Sequence, residues 1–228
     1  MLEVCEMKRD GRRNRISAKQ LLLLVAAPAV ALSMIWLYPA IASSVVRPWG
    51  LLAGAALYWV PACAGLSLIT LGWSDLRLLY SSPPRPRDPL DWFSYALVWL
   101  SPLVVFFVVF LPLLGSAGLL PLTAAAVTAV VNGTAEEIFW RGSFRRRFSR
   151  SLLLALWYPL VFFTLWHVGV DLAMTGGGRL PIMLSTAFFA GLAWGWSTWR
   201  TGRILHVTAA HVLTNFFTFV ALFVRLAG

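Results

Sequence analysis

"LLPLTAAAVTAVVNGTAEEIFWRG" (119–142) is an apolar run that closes on two adjacent carboxylates, Glu136 and Glu137, and then Arg141. A helix crosses a hydrocarbon core of about 30 Å with about 20 residues, since each adds about 1.5 Å of rise. The run reaches that length only if it carries its acidic pair at one end. The surrounding chain is equally greasy: 59% of the 228 residues are hydrophobic, 12% are charged, and the mean hydropathy is +0.76. A soluble domain carries about 25% charged residues, so this composition excludes one and predicts an all-α, polytopic protein embedded in the lipid bilayer.

The same length rule predicts seven spans: 21–41, 49–72, 93–114, 119–140, one within 152–174, 181–199 and 204–226. The fifth has two readings. In the preferred one, "FRRRFSRSLLLALW" (144–157) is an interfacial amphipathic helix and the span proper runs from 157 to 174, which places His167 near mid-membrane. The first span follows a basic segment and resembles a signal peptide, with Ala40-Ile41-Ala42 mimicking a cleavage site. Its apolar run exceeds the 7–15 residues typical of a signal core, which makes it an uncleaved helix. The chain thus divides into a basic cytoplasmic N-terminus (1–20), N-terminal transmembrane helices (21–118) and a final region (119–226) that carries the polar residues considered below.

Net charge is +10. Basic residues that alternate with apolar spans indicate orientation in a bilayer and not nucleic-acid binding. With the N-terminus placed in the cytoplasm, sixteen of the nineteen Lys and Arg fall inside, and only Arg47, Arg179 and Arg225 fall outside. Seventeen arginines against two lysines suggest a GC-rich, bacterial genome and hence a bacterial inner membrane. Cys5 and Cys63 provide neither a disulfide framework nor metal-ligand spacing.

An ionisable group inside a bilayer costs about 2.5–3.5 kcal/mol or more and is a functional candidate by default. Here the candidates are Glu136, Glu137, His167 and His211, with Asn215 beside them. Adjacent helical residues point about 100° apart, so the two glutamates face different ways. Arg141, four residues after Glu137, is placed to pair with it, leaving Glu136 to project into a cavity. His211 and Asn215 share a helix face, as do Phe163 and His167. A carboxylate beside a neutral imidazole can take a proton from water, and an amide with a second imidazole can donate to a developing oxyanion. Two histidines and a glutamate could also hold a zinc ion, although no H-E-x-x-H helix is present. His206, near the inner interface, is expected only to bond a neighbouring helix.

Three motifs now stand in order: "EEIFWR" (136–141), "FTLWH" (163–167) and "HVLTN" (211–215). They resemble the E-E-x-x-x-R, F-x-x-x-H and H-x-x-x-N motifs of the CAAX protease and bacteriocin-processing family, which includes the type II CAAX prenyl endopeptidases. The resemblance covers about 119–226. It implies an intramembrane endopeptidase in which Glu136 activates water with help from His167. His211 and Asn215 would then form the oxyanion pocket, and Glu137, Arg141 and Phe163 would support the site. It also favours chemistry without a metal cofactor, with zinc as the alternative. The expected substrate is a membrane-associated protein or peptide cut at or just within the cytoplasmic side. The competing readings are a non-catalytic self-immunity or scaffold protein of the same fold, and a transporter using Glu136 and His167 as a proton relay. No motif speaks to oligomeric state.

Overall fold

The computed structural model describes residues 16–227, so the basic residues from Lys8 to Arg15, and Cys5, lie outside the described part. Seven helices are long and apolar enough to cross a membrane, and among the described residues there is no strand. They are α1 (Ala18–Ser44), α2 (Trp49–Thr70), α4 (Pro89–Leu113), α5 (Leu119–Arg147), α6 (Leu153–Thr175), α7 (Leu180–Thr201) and α8 (Leu205–Leu226). A short α3 (Trp73–Leu79), which periodicity did not announce, links α2 to the loop before α4. Large apolar side chains cover the outside, with Leu119 81% and Trp36 76% exposed. Such a surface is stable only against lipid. The protein is an integral, multi-pass membrane protein.

Helix ends follow local chemistry. Ser17 accepts from Gln20 N–H while the Gln20 side chain accepts from Ser17 N–H, a reciprocal cap that starts α1. Asp88 caps α4, with Pro89 in its first turn. Gly176 and Gly202 take left-handed conformations (φ 68° and 66°) and stop α6 and α7.

The expected interfacial helix over 144–157 does not form. Phe148 leaves helical geometry (φ −124°, ψ 36°) and divides that stretch between the end of α5 and the start of α6. The reason lies in the arginines, which find protein partners and not lipid headgroups. Arg145 donates to the Trp199 carbonyl, Arg146 to Asp75, and Arg147 to Asp75 and the Thr70 carbonyl. The fifth span therefore begins at Leu153, close to the longer of its two readings.

In the core, α5 lies against α8, α1 against α6, and α6 against α7. Glycine permits the close approach of α5 to α8. A Cβ on Gly133 would lie 2.8 Å from the Val212 side chain and 3.1 Å from its backbone nitrogen. The helices before residue 119 are packed into the same core as those after it: Leu23, Ala27 and Tyr58 share one buried cluster with Trp140, Phe163 and Trp166.

Candidate active site

Near its end α5 changes pitch. Residues Glu137–Ser143 form a wider, π-type turn, and the Ser143 hydroxyl reaches back five residues to the Ile138 carbonyl at 3.1 Å. Such widenings are frequent at functional sites. A second one, Tyr58–Gly65 in α2, contains Pro61, which cannot donate the usual helical bond. The two are joined where Trp140 Nε1 donates to the Tyr58 hydroxyl at 2.6 Å.

Glu136 and Glu137, 1% and 0% exposed, point in different directions. Glu137 Oε1 makes an ion pair with Arg141 Nη1 at 2.9 Å and accepts from His211 Nδ1 at 2.8 Å. Arg141 lies over the Phe163 ring, 4.0 Å from its centroid, which gives the buried cation an aromatic face. Glu136 has no such cation. Its Oε1 accepts from Asn132 Nδ2 at 3.4 Å, and its Oε2 is 3.7 Å from His211 Nε2.

The imidazoles are fixed in orientation by what they touch. A carboxylate only accepts, so His211 donates through Nδ1 and turns Nε2 towards Glu136. Its ring stacks on Trp194 at 4.3 Å. His167 Nδ1 is 2.7 Å from the Phe163 carbonyl, also an acceptor, which leaves its Nε2 as the free lone pair. The Phe163 and His167 rings are in edge contact at 4.9 Å. His206 bonds Ser197 on α7 at 2.7 Å and has no part in this cluster.

Glu136, His167, His211 and Asn215 line one cavity of about 180 Å³, which Asn132 also lines. Glu137, Arg141 and Phe163 stand behind it. The sequence reading overlooked Asn132. It bridges Glu136 and Asn215, whose Nδ2 donates to Asn132 Oδ1 at 2.6 Å. The chain of contacts sets both amide orientations: Glu136 takes the Asn132 NH₂, the Asn132 oxygen takes an Asn215 N–H, and the second Asn215 N–H is left over. Its signal was present, since Asn132 precedes Glu136 by four residues on a buried helix face. Tyr38 and Trp59, which line the cavity, and Tyr58, which accepts from Trp140 behind it, had no signal, because they come from the first two spans and meet the site only when distant helices pack together.

Among the described residues, no group of three or more His, Cys, Asp and Glu side chains converges closely enough to hold a metal ion. His211 uses Nδ1 on Glu137, and His167 uses Nδ1 on a carbonyl, so Nε2 of each ring is the nitrogen left to face the cavity.

No match was found among curated proteins or among solved structures. A family model does match, over the region that carries all three motifs and also Asn132. That match supports a protease. Residues 118–217 match the type II CAAX prenyl endopeptidase Rce1-like family, in agreement with the family resemblance that the three motifs carry.

Proposed function

We propose that this protein is an intramembrane endopeptidase that hydrolyses a peptide bond of a membrane-associated protein or peptide with a glutamate-activated water. The observation that carries the reading is the convergence of Glu136, His167, His211 and Asn215 on one buried cavity, with Glu136 free of any direct cationic partner.

A water between Glu136 and His167 would give a proton to the carboxylate and a hydrogen bond to His167 Nε2. Its oxygen would then attack the scissile carbonyl. The second N–H of Asn215 would stabilise the oxyanion that develops. His211 can add a second donor only with a proton on Nε2, since Nδ1 is committed to Glu137. Glu136, protonated by the water, then supplies the proton that the leaving amine requires. This scheme routes no step through a metal.

Within this reading the N-terminus faces the cytoplasm of a bacterial inner membrane, since the basic residues gather at the corresponding helix ends. The test is Glu136→Gln in purified, reconstituted protein, assayed on membrane peptides with and without a chelator. Cleavage should disappear in the variant and withstand the chelator. Cleavage by Glu136→Gln at the wild-type rate would remove the glutamate from its role, and loss on chelation with recovery on zinc would replace the water-activating scheme by a metal.

A further inference from the structure

The cavity runs in one direction from its polar end. Glu136 lies 17 residues from the start of α5, about 25 Å along the axis, but 11 residues, about 16 Å, from its arginine-bearing end. His211 is 15 residues, about 22 Å, from Leu226 and only 6, about 9 Å, from Leu205. The polar groups are thus nearer to the arginine-rich end of the bundle, yet the cavity extends away from it. Its far walls are Pro48, Met174, Met183 and Leu226, each at or near a helix end on the arginine-poor side. Met174 and Met183 are half-buried, as befits a mouth.

On the other side the way is shut. Arg147 bonds the Thr70 carbonyl and Asp75, Ile204 N–H donates to the Leu79 carbonyl at 2.8 Å, and Arg200 holds Asp88 and Asp91 at 2.7 Å. Arg141, Phe163 and Trp194 close the space beneath Glu137.

The lining has a second property. Among the described residues, Glu136 is its one acidic side chain, and no Lys or Arg lines it. Arg47, beside Pro48, is engaged with the Ala173 carbonyl at 2.9 Å. A peptide C-terminus drawn in here would add a second carboxylate near Glu136 in a low-dielectric space with no cation to receive it, which is strongly unfavourable. An internal segment brings only amides and apolar side chains, which suit a wall of Leu, Met, Phe and Trp.

We infer that the site takes an internal, apolar stretch of a membrane-embedded polypeptide, which enters at the arginine-poor end and not from the side of the arginine clusters. This rests on the endopeptidase reading above. By the distribution of basic residues that end is the non-cytoplasmic one, the opposite of the side expected from sequence.

The test has two arms. In the first, full-length Cys5→Ser/Met183→Cys and Cys5→Ser/Met174→Cys are sealed into phosphatidylcholine–phosphatidylglycerol vesicles sorted by N-terminal orientation, and a membrane-impermeant maleimide is added outside. Labelling, read by intact mass, needs no activity. It is expected where the N-terminus is enclosed and absent where the N-terminus faces out; the reverse pattern, labelling in both, or labelling in neither overturns the access route. The second arm uses two synthetic single-span peptides with the same apolar segment, one ending at the segment and one continuing into a long polar tail. Cutting within the segment of the tailed peptide alone is expected, and equal or preferred cutting of the short one overturns the internal-segment assignment. Cutting of neither peptide, or unchanged cutting by Glu136→Gln, would strike the endopeptidase reading instead, while the labelling would still report the side of access.

Discussion

The two ends of this bundle solve different problems with different residues. At the arginine-rich end, side chains tie separate helices together: Arg146 and Arg147 reach Asp75, Arg200 reaches Asp88 and Asp91, and Arg145 caps the end of α7. At the arginine-poor end, the cavity mouth is framed by Pro48, Met174, Met183 and Leu226, and Arg47 makes a cross-helix bond to Ala173. Ion pairs at a water boundary are individually weak, about 0.2–1 kcal/mol, but several on neighbouring helices fix an end against opening. Apart from the Arg47 bond, apolar contacts hold the other end, and such contacts can yield. The polar groups of the cavity lie between, nearer the tied end, where their geometry is held best.

Substitutions at the centre, the wall and the tied end should separate these roles. The largest effect is expected from Glu136→Gln, which removes the proposed base without changing its shape. Cleavage should fall by about 10²–10⁴-fold while the melting temperature in detergent is retained. Arg141→Met tests the support behind the cavity. It leaves Glu137 buried with only His211 beside it, and the loss of stability should reach about 3–5 kcal/mol, read by thermal unfolding in detergent. Gly133→Val drives a side chain into Val212 and should cost about 1–3 kcal/mol by overpacking α5 against α8.

Asn132→Ala should leave folding nearly intact but release both Glu136 and Asn215. A fall in kcat of about tenfold, equal to about 1.4 kcal/mol, with little change in KM would mark it as a positioning residue. An equal change in both parameters would make it a substrate contact.

The smallest effect belongs to the tied end. Partial burial would raise the Asp75 carboxyl, but hydrogen bonds from Arg146 and from Gly72 N–H, with the charges of Arg146 and Arg147, hold it below its usual range. A depressed carboxyl contributes stability that is present above its unfolded pKa, near 4, and lost as pH falls through the folded value. Asp75→Asn should therefore cost about 1 kcal/mol at neutral pH and nothing at the acid end. A thermal-unfolding series against pH checks this, and a constant difference between the two proteins at every pH would refute it.

Much of this was legible along the chain. Six of the seven spans agree to within four residues with the apolar runs, because lipid demands the same length of every crossing helix, while α5 continues to Arg147, seven residues past its expected end. The separate directions of Glu136 and Glu137 followed from helical geometry, and the spacing of Glu137 and Arg141 announced their ion pair. His206 makes the interhelical bond its place suggested, to Ser197. The interfacial helix was misread since Arg145, Arg146 and Arg147 look like lipid-facing cations until Asp75, Thr70 and Trp199 are brought to them from other helices. Asn132 was passed over because a single amide in "VVNGT" does not show which partners it will meet across 83 residues.

Sequence alone therefore determined the membrane environment, the number of membrane-spanning helices and the residue types available for chemistry, all of which depend on neighbours a few positions apart. Tertiary structure decided the rest: that His211 turns Nδ1 to Glu137 and Nε2 to Glu136, that the first two spans wall the site, and that the cavity leads towards the arginine-poor end. These depend on how helices distant in the chain lie against one another, and no local period encodes that packing.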